Sequence, residues 1–194
     1  MRRFLLFLIL FLTPLTLLPQ DSLLFHGSRH KLGIITGYGN QSGIDVEYRY
    51  QVVFLQGQYY YSIWRAETWG VDIITQVQYN TTNLADRPHF PVFSSGYEVG
   101  MDAGFLVRKN ILNDHLSIYA FISSGPHYIN CISERQSDGF NFSDNFFFGA
   151  NVRINKNLYL DTRFGVRHIS NAGIQEPNRG FNTAVICGGF MFIP

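Results

Sequence analysis

Charge is what this sequence has least of. Charged residues make up 15% of its 194 residues, against about 25% in a typical soluble domain. A formal net charge of +1 gives no electrostatic footing for nucleic acid. Cysteine is nearly as scarce: Cys131 and Cys187 permit one disulfide at most and make no disulfide framework. One falls in a loop and the other inside a strand of the map below, so two free thiols are expected. An apolar run long enough for a transmembrane helix is also missing. The longest, Phe4 to Leu18, is interrupted by Pro14 and falls short of the about 20 residues a helix needs to span a bilayer. Preceded by Met1-Arg2-Arg3, it reads as a secretory signal peptide rather than a short membrane anchor. No cysteine follows the run directly, which argues against a lipoprotein anchor. The expected division is a signal peptide over residues 1–20, cleaved near Pro19-Gln20 or Ser22, and one domain over residues 21–194.

What the chain does have is aromatic residues and strict alternation. Aromatics reach 16%, with 18 Phe and 11 Tyr. In Tyr97 to Val107 the odd positions are Tyr97, Val99, Met101, Ala103, Phe105 and Val107, while Glu98, Gly100, Asp102 and Gly104 fall between them. Trp69 to Tyr79 and Phe142 to Ile154 repeat the pattern. Alternate residues of a strand face opposite sides, so each segment has one apolar face and one polar, glycine-bearing face. No convincing helix appears after the leader.

Strands are expected near 31–39, 49–64, 68–80, 96–108, 115–125, 141–154, 157–170 and 181–193. Many run about 10 to 14 residues, where globular strands usually run 5 to 6 and tilted membrane strands need 9 to 11. Short connections (Arg65-Ala66-Glu67, Lys109 to Asp114, Asn155-Lys156) alternate with long ones (Asn40 to Tyr48, Thr81 to Ser95, Gly125 to Gly139, Asn171 to Gly180). That is the plan of an all-β, eight-stranded antiparallel transmembrane barrel of the outer membrane, with short periplasmic turns and longer external loops. A soluble β-sandwich shares the composition but not the strand lengths. The inward set would include Asp72, Glu98, Asp102, Arg108, Arg153, Asp161, Arg163 and Arg167. A barrel of eight strands has room inside only for side chains, so these charges should pair in a packed network, which excludes an open pore.

The segment Arg167 to Gly180 concentrates the chemistry. His168 and Ser170 continue the outward row of the seventh strand at its external end. Two apart on one strand, their backbones lie about 6.6 to 7 Å apart, a distance an imidazole can bridge to a hydroxyl in the nucleophile–base arrangement. Asn182 opens the outward row of the next strand, opposite either Ser170 or His168. From spacing alone, these residues could equally be interfacial polar groups capping a strand beside a turn. The histidines His30, His89, His115 and His127 show no close ligand spacing, and no metal is expected.

His168-Ile169-Ser170-Asn171-Ala172, followed by Pro177-Asn178-Arg179-Gly180, resembles the signature of PagL-type lipid A 3-O-deacylases. These are eight-stranded outer-membrane barrels, also described as acyloxyacyl hydrolases. The resemblance implies Ser170 as nucleophile, His168 as general base and Asn171 as a contributor to oxyanion binding. It implies hydrolysis of the acyl chain ester-linked at position 3 of lipid A, in the outer membrane of a Gram-negative bacterium, without cofactor. Lipid A and outer-membrane lipid would be the partners, and a homodimer stays open. One position departs from the family pattern: where a glutamate orients the histidine, twelve residues after the serine, this chain has Asn182. An amide can orient an imidazole but carries no charge; Glu176 in the loop is a candidate substitute. The alternative function is a catalytically inactive small barrel acting through its external loops, with Pro88, His89, Phe90, Pro91 and Phe93 as a contact surface.

Overall fold

In the computed structural model, eight antiparallel strands close into a barrel in chain order: β1 His30–Asn40, β2 Arg49–Arg65, β3 Trp69–Ala85, β4 Ser94–Leu112, β5 Leu116–Ile129, β6 Gly139–Arg153, β7 Leu158–Ser170 and β8 Phe181–Phe192. The structure describes residues 28–41, 48–85, 94–112, 115–130 and 133–194. The leader, Cys131 and the stretch from Pro88 to Phe93 lie outside them. β1 pairs with β8, so no ladder edge is left open. β1 starts and β8 ends at the end of the barrel where β2 passes to β3, β4 to β5 and β6 to β7; the other four strand-to-strand steps lie at the opposite end.

Strands of up to 19 residues form because alternation persists throughout them. Inward positions are buried and outward positions exposed along nearly the whole of β2 and β3. Phe164 is 62% exposed and Ile186 66%. Large apolar side chains displayed around a closed barrel require a lipid-like surround, whereas a sandwich would bury that face. Aromatic rings mark both ends. Tyr79, Tyr97 and Tyr128 follow one another near the loop end, with ring centroids 6.1 and 6.4 Å apart. At the turn end Lys109 Nζ sits 5.1 Å from the Trp69 ring.

The lumen is filled by paired charges. Asp72 binds Lys31 at 2.9 Å and Arg108 at 3.0 Å. Asp161 binds Arg163 at 2.9 Å, and Glu98 binds Arg167 at 2.6 Å. Asp102 gathers Gln76, Gln78, Asn145 and His127. Gly100 leaves the space the His127 ring occupies, since a Cβ there would come within 2.4 Å of it. Arg153 stops short of this network, half-buried at the turn end, where its Nε donates to the Asn155 carbonyl at 3.2 Å. Cys187 is a buried free thiol.

The strands outrun the expected boundaries where pairing continues past turn-like residues. β3 and β4 stay in register out to Leu84 and Ser94, so their connection is shorter than Thr81 to Ser95. Gly125-Pro126 reads as a turn in the sequence, yet Pro126 lies inside β5 opposite Phe142. The β4–β5 ladder skips Met101 and Asp102 there, which is where a residue without an N–H does least harm. A register shift between Ser62 and Trp64 turns Trp64 toward Val71 on the outer face.

Candidate active site

β7 runs Leu158 to Ser170 with Leu160, Thr162, Phe164 and Val166 outward and Asp161, Arg163 and Arg167 inward. The same parity turns His168 and Ser170 outward at the loop end, both half-buried. Asn182 lies directly across the β7–β8 ladder from His168, resolving the choice left open by the sequence. The His168 Nδ1 to Asn182 Oδ1 distance is 2.7 Å. Because a carbonyl oxygen only accepts, Nδ1 carries the proton and Nε2 keeps its lone pair. Ser170 faces Phe142 of β6. Its hydroxyl and the His168 ring are not hydrogen-bonded to each other.

Both sides of the site are braced. Tyr48 OH accepts the Asn182 N–H at 2.8 Å, and Arg135 lies 4.3 Å over the Tyr48 ring. The β7–β8 connection pairs with the β5–β6 connection through a Gln136–Asn178 bridge. Ser137 N–H donates to the Pro177 carbonyl, and Arg179 N–H to the Arg135 carbonyl, both at 2.8 Å. Gly180 closes against the imidazole with φ +65°. A Cβ there would sit 2.7 Å from the Ile169 carbonyl oxygen and 2.8 Å from His168 Cε1. Only a residue without a side chain reaches that position next to His168 without displacing it.

Asn171 is buried, and its amide is engaged within the loop. It donates to Ser137 Oγ at 2.7 Å and to the Gln175 carbonyl at 2.5 Å, while its Oδ1 accepts the Gly173 N–H at 3.0 Å. Glu176 is exposed, and its carboxylate accepts the Asn178 N–H at 3.1 Å. The acid nearest His168 in register comes from elsewhere. Ser124 of β5 pairs with Asp144 of β6, Asp144 with His168 of β7, and His168 with Asn182 of β8. All four side chains face outward and make one polar row across four strands. Ser124 Oγ donates to Asp144 Oδ1 at 2.6 Å. Sequence reading passes over this acid, although its signal is there: Asp144 shares the parity of Phe146, Phe148 and Val152 and interrupts an apolar row.

Beside the row runs a groove of about 750 Å³ on the outer wall, lined by Phe105, Ile122, Phe146 and Val166 as well as Asp144, His168 and Asn182. An apolar groove bordered by a carboxylate, a histidine and an amide can hold an extended aliphatic chain with its polar end at the imidazole.

The family model described as lipid A 3-O-deacylase (PagL) matches residues 42–190. The crystal structure of the outer membrane enzyme PagL is similar to this chain with a TM-score of 0.62 at 14% identity, covering 84% of this chain and 99% of that one. Two weaker likenesses are Ail of Yersinia pestis (TM-score 0.44, 14% identity, 84% and 99% covered) and OprG of Pseudomonas aeruginosa (0.42, 9%, 85% and 95%). At these identities the structural likeness concerns the fold. No curated protein sequence matches the chain.

Proposed function

Since the chain belongs to the lipid A 3-O-deacylase (PagL) family, we propose that it hydrolyses the acyl ester at position 3 of lipid A in the outer leaflet of a Gram-negative outer membrane. Ser170 is the nucleophile, His168 the general base and Asn182 the residue that orients it. The observation that carries this reading is the outward-facing His168–Asn182 pair beside Ser170 at the loop end.

In this reading the substrate stays in the leaflet. Its acyl chain lies in the outer-wall groove, and its ester reaches the loop end, where headgroups meet the barrel. Nε2 of His168 takes the Ser170 Oγ proton as Oγ bonds to the ester carbonyl carbon. The tetrahedral intermediate collapses, the sugar oxygen leaves, and His168 returns the proton to it. Water, deprotonated by the same nitrogen, then cleaves the acyl-enzyme, freeing a fatty acid and restoring Ser170. Asn171 serves the oxyanion side by fixing the loop directly after the nucleophile, through its bonds to Ser137, Gln175 and Gly173. Low dielectric at the wall strengthens every contact to the developing charge.

The test is direct. Purified protein in detergent micelles should release a 3-hydroxy fatty acid from lipid A, and Ser170→Ala should stop the release. Intact lipid A after incubation with folded wild-type barrel would contradict the proposal.

A further inference from the structure

Proton transfer from Ser170 leaves His168 as an imidazolium, and a cation formed on a lipid-facing wall needs a counter-charge close by. Asn182 orients the ring through a neutral oxygen and cannot supply one. We propose that Asp144, opposite His168 in the β6–β7 register, supplies this negative charge and acts as a positioning residue for His168 from the side away from Asn182. The inference rests on the hydrolytic reading of the same site.

Three observations support it. The first is register: directly opposed residues have Cβ atoms about 4.5 to 5.5 Å apart, and Asp144 and His168 are such a pair. The second is isolation. Among the described residues, Asp144 is the only carboxylate on the outward face of a strand. Asp72, Glu98, Asp102 and Asp161 point into the lumen, and the others lie in connections. A carboxylate on a lipid-facing wall costs free energy wherever it sits, and it persists where it has a task. The third is restraint. Ser124 holds Oδ1 at 2.6 Å from across the next ladder, which keeps the carboxylate in the row. Arg167, next to His168 in sequence, does not neutralise it, because its guanidinium turns inward onto Glu98.

The charge thus arrives from β6, while the β8 position contributes orientation alone. That division predicts compensation: an acid placed at Asn182 should matter most when Asp144 has lost its charge.

The experiment follows Ser170 labelling by a fluorophosphonate, in which Oγ displaces fluoride from phosphorus and His168 takes the proton, alongside lipid A hydrolysis by the full chain in detergent. Asp144→Asn should slow labelling and lower kcat by about 10- to 100-fold, with KM within a factor of about two. Asp144→Glu should retain most of the rate. Asn182→Glu should raise the rate at least about tenfold in the Asp144→Asn background and only a few-fold alone. Heat-modifiable gel migration certifies that each variant is folded. Unchanged labelling and kcat in Asp144→Asn would overturn the proposal, and so would a raised KM with kcat intact, which would make Asp144 a substrate-binding group. No labelling of the wild type would also overturn it. Labelling that Asp144→Asn slows, in a protein that leaves lipid A intact, would uphold the proposal and strike only the substrate assignment.

Discussion

His168 and Asn182 face each other across the last ladder of the barrel, with Nδ1 of one 2.7 Å from Oδ1 of the other. This contact selects the imidazole tautomer that leaves Nε2 free for a proton, and it lies on the outer wall. Asn182→Ala removes the acceptor and lets the ring rotate. The expected result is a fall in kcat of about 10²-fold with little change in KM, since orientation of the base acts on the chemical step. Steady-state kinetics on lipid A in mixed micelles checks this. A rise in KM alone would show that Asn182 binds substrate instead.

Gly180 gives a second test of the same ring. Gly180→Ala would bring a methyl group to 2.8 Å from His168 Cε1 while forcing an L-residue to hold φ +65°. It should lower kcat by about tenfold or more and cost about 1 kcal/mol of stability from the backbone alone. Gly173→Ala is the control. It bears comparable backbone strain at φ +80°, but a Cβ there meets no atom within 4 Å. Its kcat should fall distinctly less than that of Gly180→Ala; equal losses would assign the effect to the loop rather than the ring.

The lumen should respond as a set of buried pairs. Arg167→Met leaves Glu98 buried and uncompensated, at a cost of about 3–5 kcal/mol. Adding Glu98→Gln should recover a substantial part, because the orphaned charge is gone. The midpoint of urea unfolding, followed by heat-modifiable mobility, reads both effects. A single variant as stable as the wild type would mean that water enters the lumen and screens the pair.

Much of this architecture is legible in the sequence because a closed barrel with lipid outside and paired charges inside enforces a period of two on every strand. Glu98, Asp102 and Arg167 declare their inward direction by parity alone. Their partners do not, since Arg167 meets Glu98 across the lumen, and strand stagger decides that contact. Lys31 is missed for the same reason: its partner, Asp72, lies two strands away. At the site, parity puts His168, Ser170 and Asn182 on one face. Whether Asn182 meets His168 or Ser170 depends on the register, which the connection from Asn171 to Gly180 sets by pairing with the neighbouring loop. Asp144 stays hidden because a lone acid in an apolar row acquires meaning only when the ladder sets it opposite a histidine. Pro126 misleads in the other direction, reading as a strand end where one ladder merely skips two residues.

Deacylation at position 3 should be visible on lipid A in cells. Mass spectrometry should compare lipid A from a Gram-negative host expressing the full chain with lipid A from the same host expressing Ser170→Ala. The wild type alone should yield a species lighter by one 3-hydroxyacyl group at position 3, with both proteins folded in the outer membrane to equal levels. Identical lipid A from the two strains would contradict it.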